Sequence, residues 1–231
     1  MLYLIMWMIV PSMSVSEKTE GSLLVHSLVT YNFTSHTVVL KIRSPVHEAA
    51  HRAFSEIFSN WHRNQESRLI PTGGATIEGS TRNQSPDSCW KTSVYVPGRD
   101  VKWPTILVEA GWSGSMAKLK QDMLFWLRGS EEQVRVALTI EVDRRGSITI
   151  QQWILDDTAS RSSVKPFQTM HITQNRCAGL NQHQISGSMH IKFEDCFLRV
   201  KRDSESDFVM SKNDITEIAE AVWHCLPLAT T

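Results

Sequence analysis

Two acidic residues occupy positions where a folded chain would bring carboxylates together. Asp87 follows Ser85 and Pro86, a turn sequence, and Glu109 ends the apolar run of residues 105–108. A turn before an extended segment and an acid that ends an apolar run both predict strand ends. Mg²⁺ and Mn²⁺ bind carboxylate oxygens together with substrate phosphates. The pair therefore predicts a divalent metal site. In the alternative interpretation, Asp87 only caps a turn and Glu109 only ends a buried strand.

The composition is that of a globular protein without a strong overall charge. The chain has 231 residues, 41% of them hydrophobic, which is enough for a substantial core. Lys and Arg number 24, as do Asp and Glu, so any site for a polyanion must be local. The four cysteines lack the paired spacing of a zinc site or a disulfide framework. We therefore expect a reduced, intracellular protein of the nucleus or cytoplasm.

The first ten residues are apolar, but they are too few to span a bilayer and lack a positively charged n-region. We expect no association with membranes. The segment is interpreted as an N-terminal strand or as a product of a misassigned start codon. Asn32 and Asn83 lie in glycosylation sequons, which would matter only if the chain were secreted.

The first half of the chain predicts a hairpin followed by a helix. Residues 22–31 and 36–43 have the composition of two strands joined by a short turn. Ser44 fits a helix N-cap and Pro45 the first helical position. Apolar residues then recur every three or four positions from Val46 to Trp61, which predicts a helix over this segment.

The rest of the chain predicts a mixture of strands and helices. Residues 156–187 are polar and lack periodicity, so they are expected to form a long loop or an addition to a sheet edge. The last helix is expected to begin near 211–214, where a serine and an aspartate have capping-box spacing. Further predicted elements are strands at 75–78, 88–96, 105–110, 134–142, 147–155 and 189–193, and a helix at 116–127.

The predicted order of helix, strand, strand, strand, helix and strand resembles the core of the restriction-endonuclease-like, or PD-(D/E)XK, nuclease superfamily. Pro86 and Asp87 stand at its PD, and Glu109, Ala110 and Gly111 stand at its (D/E)XK. The segment from 103 to 127 also resembles a group of uncharacterised fungal proteins. The similarity covers roughly residues 36–155 and the C-terminal helix.

This resemblance implies an α/β restriction-endonuclease-like core with a mixed central sheet flanked by helices. An N-terminal hairpin and a C-terminal strand and helix would be added to that core. The implied organisation is a tail at 1–21, the core at 22–156, and a loop-rich extension at 157–231 that ends in a helix packed on the core.

The resemblance also implies Mg²⁺-dependent or Mn²⁺-dependent cleavage of phosphodiester bonds. Asp87, Glu109 and the carbonyl of Ala110 would hold the metal, which lowers the pKa of a bound water. The family pattern places a lysine two residues after the second acid, on the same face of the strand, and here that residue is Gly111. We expect Lys120 on the following helix to replace it, with Lys91 as the second choice. In the alternative, Lys120 only extends past the edge of the core.

Other residues are expected to contact nucleic acid or metal-bound water. His47 and His51 lie one turn apart on the first helix, and His47 is predicted to contact phosphate or metal-bound water; Glu48 is expected to face away. A histidine pair without a third ligand is weak evidence for zinc, and in the alternative the two histidines are boundary residues with satisfied hydrogen bonds. Arg82 is predicted to meet a nucleic-acid phosphate. The leading expectation is a nuclease that acts on nucleic acid as a monomer or as a homodimer. The alternative is a catalytically inactive scaffold of the same fold that binds a protein or nucleic-acid partner.

Overall fold

The computed structural model describes residues 27–32, 37–114, 116–156, 163–175 and 182–227. The four helices in these ranges are α1 Pro45–Arg63, α2 Met116–Gly129, α3 Phe193–Phe197 and α4 Lys212–His224. The strands are β1 Ser27–Asn32, β2 Thr37–Ile42, β3 Leu69–Pro71, β4 Ile77–Glu78, β5 Arg82–Gln84, β6 Ser88–Thr92, β7 Ile106–Trp112, β8 Val136–Val142, β9 Ile148–Asp156, β10 Ser163–Asn175, β11 Gln182–Gly187, β12 His190–Ile191 and β13 Phe208–Val209.

A seven-stranded mixed sheet lies at the centre, in the order β11-β10-β9-β8-β7-β6-β3. Its neighbouring strands are antiparallel except β7 and β8, which are parallel and joined through α2. The strands predicted at 75–78, 88–96 and 105–110 correspond to β4, β6 and β7, which lie between α1 and α2 and are followed by β8. The prediction of three strands between the two helices was wrong, because β3 and β5 also lie there and β4 belongs to a second sheet. The expectation of an α/β fold with a mixed central sheet flanked by helices is confirmed.

The two long helices of the core cover opposite faces of this sheet. Alternate residues of β7 point to opposite faces. Ile106 and Val108 join the hydrophobic cluster that contains α1, whereas Leu107 joins the cluster that contains α2. The end of β7 therefore lies between a helix on each side, and both helices can supply side chains to it.

α1 begins where the sequence predicts it. The hydroxyl of Ser44 accepts a hydrogen bond from the backbone N–H of His47 at 3.2 Å, and Pro45 follows it at the first helical position. The helix buries Phe54, Phe58 and other apolar residues against the sheet and against α4. This packing fixes the face of α1 that carries His47 and His51.

α4 also confirms a prediction. Ser211 and Asp214 form a reciprocal capping box, and the helix buries Ile215, Ile218 and Val222. These residues belong to the same hydrophobic cluster as α1 and the central sheet. The expectation that the C-terminal helix packs on the core is therefore met in the structure.

The C-terminal part of the chain contains more β-sheet than the predicted loop-rich extension. β10 and β11 add two strands to one edge of the central sheet, so of the two alternatives for 156–187 the edge addition is right and the long loop is wrong for these strands. Pro166 lies within β10, where the pairing with β9 shifts register before Gln168. A strand tolerates a proline where its pairing is irregular, as it is here. The proline and the register shift both interrupt the alternation of apolar and polar residues that would predict a strand from the sequence.

The N-terminal hairpin is confirmed as β1 and β2, which pair antiparallel. These strands continue into a second sheet of order β2-β1-β5-β4. The turn at 33–36 and the whole segment 1–26 lie outside the described residues, so the boundary at 21 and the interpretation of the apolar N-terminus stay predictions. The strand predicted at 88–96 ends at Thr92, and the strand predicted at 189–193 is the two-residue β12 followed by α3.

Within the described ranges, none of the helices combines the length and the apolar character that crossing a bilayer requires.

Candidate functional site

Asp87 immediately precedes β6, and Glu109 lies in the middle of the neighbouring strand β7. Ser88, the first residue of β6, pairs with Val108 of β7. Asp87 is 5% exposed, and its Oδ2 accepts the backbone N–H of Ala110 at 2.7 Å. The same oxygen lies 3.0 Å from Nε2 of His47. An ionised carboxylate can only accept hydrogen bonds, so His47 Nε2 donates to the ionised form of Asp87.

Glu109 is held from the other face of the sheet. It is 1% exposed, and its Oε1 accepts hydrogen bonds from Gln84 Nε2 at 3.1 Å and from Trp126 Nε1 at 2.9 Å. Trp126 belongs to α2, whereas His47, which contacts Asp87, belongs to α1. The structure brings the two predicted metal ligands to adjacent positions in the sheet, with hydrogen-bond partners on opposite faces.

The two lysines predicted to replace the missing base lie on different elements. Lys91 is four residues along β6 from Asp87, about 13 Å of extended strand. Its ammonium donates to the carbonyl of Val101 at 2.6 Å. Lys120 is exposed on α2, the helix that directly follows β7.

Arg82 packs against α2. Its guanidinium donates to the carbonyl of Gln121 at 3.1 Å and to Asp122 at 3.2 Å, and it lies 4.5 Å from the centre of the Phe125 ring. Burial lowers the pKa of Arg82, while Asp122 and Glu109 oppose that change. The residue predicted to meet a phosphate thus anchors β5 to the helix beside Glu109.

A second cluster of polar side chains lies on α1, on the Asp87 side of the sheet. Oε1 of Glu48 is 3.4 Å from His47 Nδ1 and 3.3 Å from His51 Nε2. The other oxygen, Oε2, accepts from Arg52 at 3.0 Å, and Arg43 Nε lies 3.4 Å from Oε1. The expectation that Glu48 faces away was wrong, because its flexible side chain reaches back across the first turn to both imidazoles.

A sequence signal for this cluster exists at residues 47–51, which read His-Glu-Ala-Ala-His. Two histidines four residues apart share one face of a helix, and an acid after the first of them is the arrangement found in zinc-binding helices of metalloproteases. Sequence reasoning recognised the two histidines but not the glutamate between them.

Burial and neighbouring groups shift the pKa values of residues in this cluster. Burial lowers the pKa of His51, while the nearby Asp87 opposes that change. Burial alone would raise the pKa of Glu48, but the hydrogen bond from Arg52 and the proximity of His51 hold that pKa below its usual value.

Comparisons with known proteins add little to this geometry. No family model matches the sequence, and no curated protein matches it. A crystal structure from Anabaena variabilis, described as a "putative nuclease belonging to DUF820", is similar over 60% of this chain and 76% of that chain. The identity is 10% and the TM-score is 0.38. A likeness at this level supports no statement about the activity of the present chain.

Proposed function

We propose that this chain is a metal-dependent hydrolase of phosphodiester bonds with a nuclease-like core. The observation that carries the proposal is the placement of two buried acids on neighbouring segments, Asp87 just before β6 and Glu109 within β7. The succession of α1, β6, β7, α2 and β8 around them supports the resemblance to PD-(D/E)XK nucleases. The relation to fungal proteins is part of the same proposal.

The residues present are chemically suited to a hard divalent cation. Two carboxylates and the carbonyl of Ala110 offer the oxygen ligands that Mg²⁺ and Mn²⁺ prefer. N–H groups donate to both carboxylates, which favours their ionised form although they are buried. A bound metal would supply a water of lowered pKa and would stabilise charge on the phosphate.

The remaining residues have defined parts in this proposal. His47 and the Ala110 N–H orient Asp87, while Gln84 and Trp126 orient Glu109. Of the two lysines considered as the base, Lys120 fits better because it is exposed on the helix after β7, whereas Lys91 is bonded to a carbonyl. The substrate would be a nucleic acid, bound by the monomer or by a homodimer.

One observation favours a second candidate function. Gly111 replaces the lysine of the family pattern, which removes a donor from the face that carries Glu109. In this alternative the chain is a catalytically inactive scaffold that binds a protein or nucleic-acid partner. An intracellular location, in the nucleus or cytoplasm, is part of both candidates.

Calorimetric titration of Mg²⁺ and Mn²⁺ into the protein tests the proposal. The samples are the wild type, the double variant Asp87→Asn/Glu109→Gln, and Asp203→Asn, which neutralises an exposed acid elsewhere. The same samples are incubated with a mixture of single-stranded and duplex DNA and RNA. We expect binding and cleavage by the wild type and by Asp203→Asn, and neither by the double variant.

An absence of both metal binding and cleavage in the folded wild type would contradict the hydrolase and support the scaffold. Cleavage that survives in the double variant would show that the activity does not use these acids.

A further inference from the structure

Three electron-rich atoms face one another on the first two turns of α1. They are Nδ1 of His47, Nε2 of His51 and Oε1 of Glu48, and the ligand atoms of these residues lie within 4.8 Å of one another. Both histidines are nearly enclosed, at 4% and 5% exposure. Among the described residues, none of the three atoms has a hydrogen-bond partner. Buried polar atoms without a partner are rare and call for an explanation.

The hydrogen-bond network fixes the tautomer of His47. The ionised carboxylate of Asp87, whose Oδ2 accepts from the Ala110 amide, can only accept from His47 Nε2 as well. The proton of a neutral His47 imidazole is therefore on Nε2. The lone pair of Nδ1 is then directed at the Glu48 carboxylate, 3.4 Å away.

His51 can adopt the tautomer that a metal ligand requires. Ser55 Oγ is the donor in its contacts with the His51 carbonyl at 2.6 Å and with Ser88 Oγ at 2.8 Å. Ser88 Oγ lies 3.0 Å from His51 Nδ1 and can accept its proton. In that tautomer the lone pair of Nε2 is directed toward Glu48.

Two lone pairs and a carboxylate oxygen thus converge, and a cation between them would remove their mutual repulsion. Four ligands arranged tetrahedrally around Zn²⁺ at about 2.0–2.1 Å lie about 3.3 Å from one another. The distances from Glu48 Oε1 to the two nitrogens, 3.4 Å and 3.3 Å, agree with this spacing. Arg43 Nε is near the same oxygen but is not hydrogen-bonded to it.

We propose that His47 Nδ1, His51 Nε2 and Glu48 Oε1 bind a divalent transition-metal ion of the Zn²⁺ class. Imidazole ligands suit Zn²⁺, whereas Mg²⁺ prefers oxygen ligands only. Asp87 and Ser88 accept the opposite ring N–H groups and so orient the two imidazoles, as outer partners of metal-bound histidines commonly do. Three protein ligands leave a fourth position open for water or a substrate atom.

This site is distinct from the proposed Mg²⁺ ligands and does not depend on the phosphodiesterase. It shares Asp87 with them, but only as a hydrogen-bond acceptor for His47. Glu109, on the α2 side of β7, takes no part in it. Glu109→Gln therefore separates the two proposals, since it should impair Mg²⁺ binding and leave Zn²⁺ binding intact.

The test uses full-length protein freed of metal with a chelator and then titrated with Zn²⁺ by calorimetry and with Co²⁺ by visible absorption. The variants are His47→Gln/His51→Gln, Glu48→Gln, Ser88→Ala and Glu109→Gln. His224→Gln is the matched control, since it removes an exposed histidine from the last turn of another helix.

We expect one Zn²⁺ per chain and Co²⁺ bands without thiolate charge transfer in the wild type, in Glu109→Gln and in His224→Gln. Binding should be lost in the double histidine variant and strongly reduced in Glu48→Gln. Ser88→Ala should weaken binding by about 10-fold to 100-fold, the usual effect of losing an outer partner.

Several results would overturn the site. They are no stoichiometric binding by the folded wild type, a thiolate band that places Co²⁺ on a cysteine, or unchanged Zn²⁺ affinity in the double variant. If the double variant fails to fold, Glu48→Gln and Ser88→Ala decide the matter, and wild-type affinity in both contradicts the proposal. A variant that loses Mg²⁺ binding but keeps Zn²⁺ binding would argue against the proposed phosphodiesterase and would support the separate Zn²⁺ site.

Discussion

At the scale of single residues, Asp87 and Glu109 are both buried but are held by different partners. Asp87 joins β6 to β7 and α1 through one oxygen, which accepts both the Ala110 amide and His47. Glu109 joins β7 to α2 through Trp126. Turn chemistry was enough to predict that Asp87 lies next to the start of a strand. The prediction that Glu109 ends its strand was wrong, because pairing with β8 continues β7 to Trp112.

Glu48 shows where reasoning from helix geometry was insufficient. A helical wheel describes the direction in which a side chain leaves the backbone. Glutamate has rotatable bonds beyond that point, so its carboxylate can reach a face that its Cα does not point toward. The charge of Arg52 one turn later and the two imidazoles together determine where the carboxylate lies.

Glu205 gives a prediction for acid stability that is independent of both proposed sites. Arg199 and the backbone amides of Arg202 and Glu66 donate to its carboxylate. The hydrogen bonds from Arg199 lower the pKa of Glu205 from 4.5 to about 2, although burial opposes the change. A lowered pKa in the folded state contributes stability above pH 4.5, and this contribution is lost as the pH falls from there toward 2.

We therefore expect Glu205→Gln to lower the free energy of unfolding by about 2 kcal/mol at neutral pH. The deficit should shrink as the pH falls below 4.5, because the wild-type carboxyl is then protonated as well. Urea unfolding at several pH values, with Glu220→Gln as an exposed control on α4, measures both effects. A deficit that does not change with pH would contradict this account.

At the scale of elements, the two N-caps provide a matched comparison. Ser44 caps α1 and Ser211 caps α4, each accepting the amide three residues later at 3.2 Å. Replacing either serine with alanine should lower the free energy of unfolding by about 1 kcal/mol. Only Ser44→Ala should also weaken Zn²⁺ binding, because the amide that it releases belongs to His47.

Thermal unfolding and Zn²⁺ calorimetry of the two variants test this prediction. An unchanged stability in Ser44→Ala would show that the cap contributes little. Equal losses of Zn²⁺ affinity in both variants would show that the effect comes from general destabilisation and not from the first turn of α1.

The elements that the sequence predicted well are those with local determinants. α1 and α4 have a capping residue followed by apolar residues at helical spacing, and β8 and β9 alternate around a tight turn. β10 lacks such a signal, since Pro166 and polar residues interrupt its alternation. Its strand conformation comes from pairing with β9 and β11, a tertiary contact that no local pattern records.

At the scale of the whole molecule, the main hydrophobic cluster draws on both ends of the described chain. It includes residues of α1 and β7 together with residues that follow position 156, among them Met170, Ile191, Phe193, Phe197, Phe208, Ile215, Ile218 and Val222. A fragment of residues 22–156 would expose the apolar surface that these side chains cover, at roughly 25 cal/mol per Å².

We therefore expect the fragment 22–156 to lack a cooperative thermal transition, whereas the full chain unfolds cooperatively. Circular dichroism melts of the two proteins, with limited proteolysis of each, make the comparison. A fragment that melts cooperatively near the temperature of the full chain would instead establish 22–156 as an independent domain.

The contact between α1 and α4 also affects how the protein is made. About 150 residues separate the two helices in the chain, and synthesis at roughly 5–20 residues per second places α4 about 8–30 s behind α1. During that interval the aromatic face of α1, with Phe54 and Phe58, lacks part of its final packing, including the contacts with Phe208. The nascent chain should therefore be a client for chaperones at the ribosome until α4 emerges and completes the core.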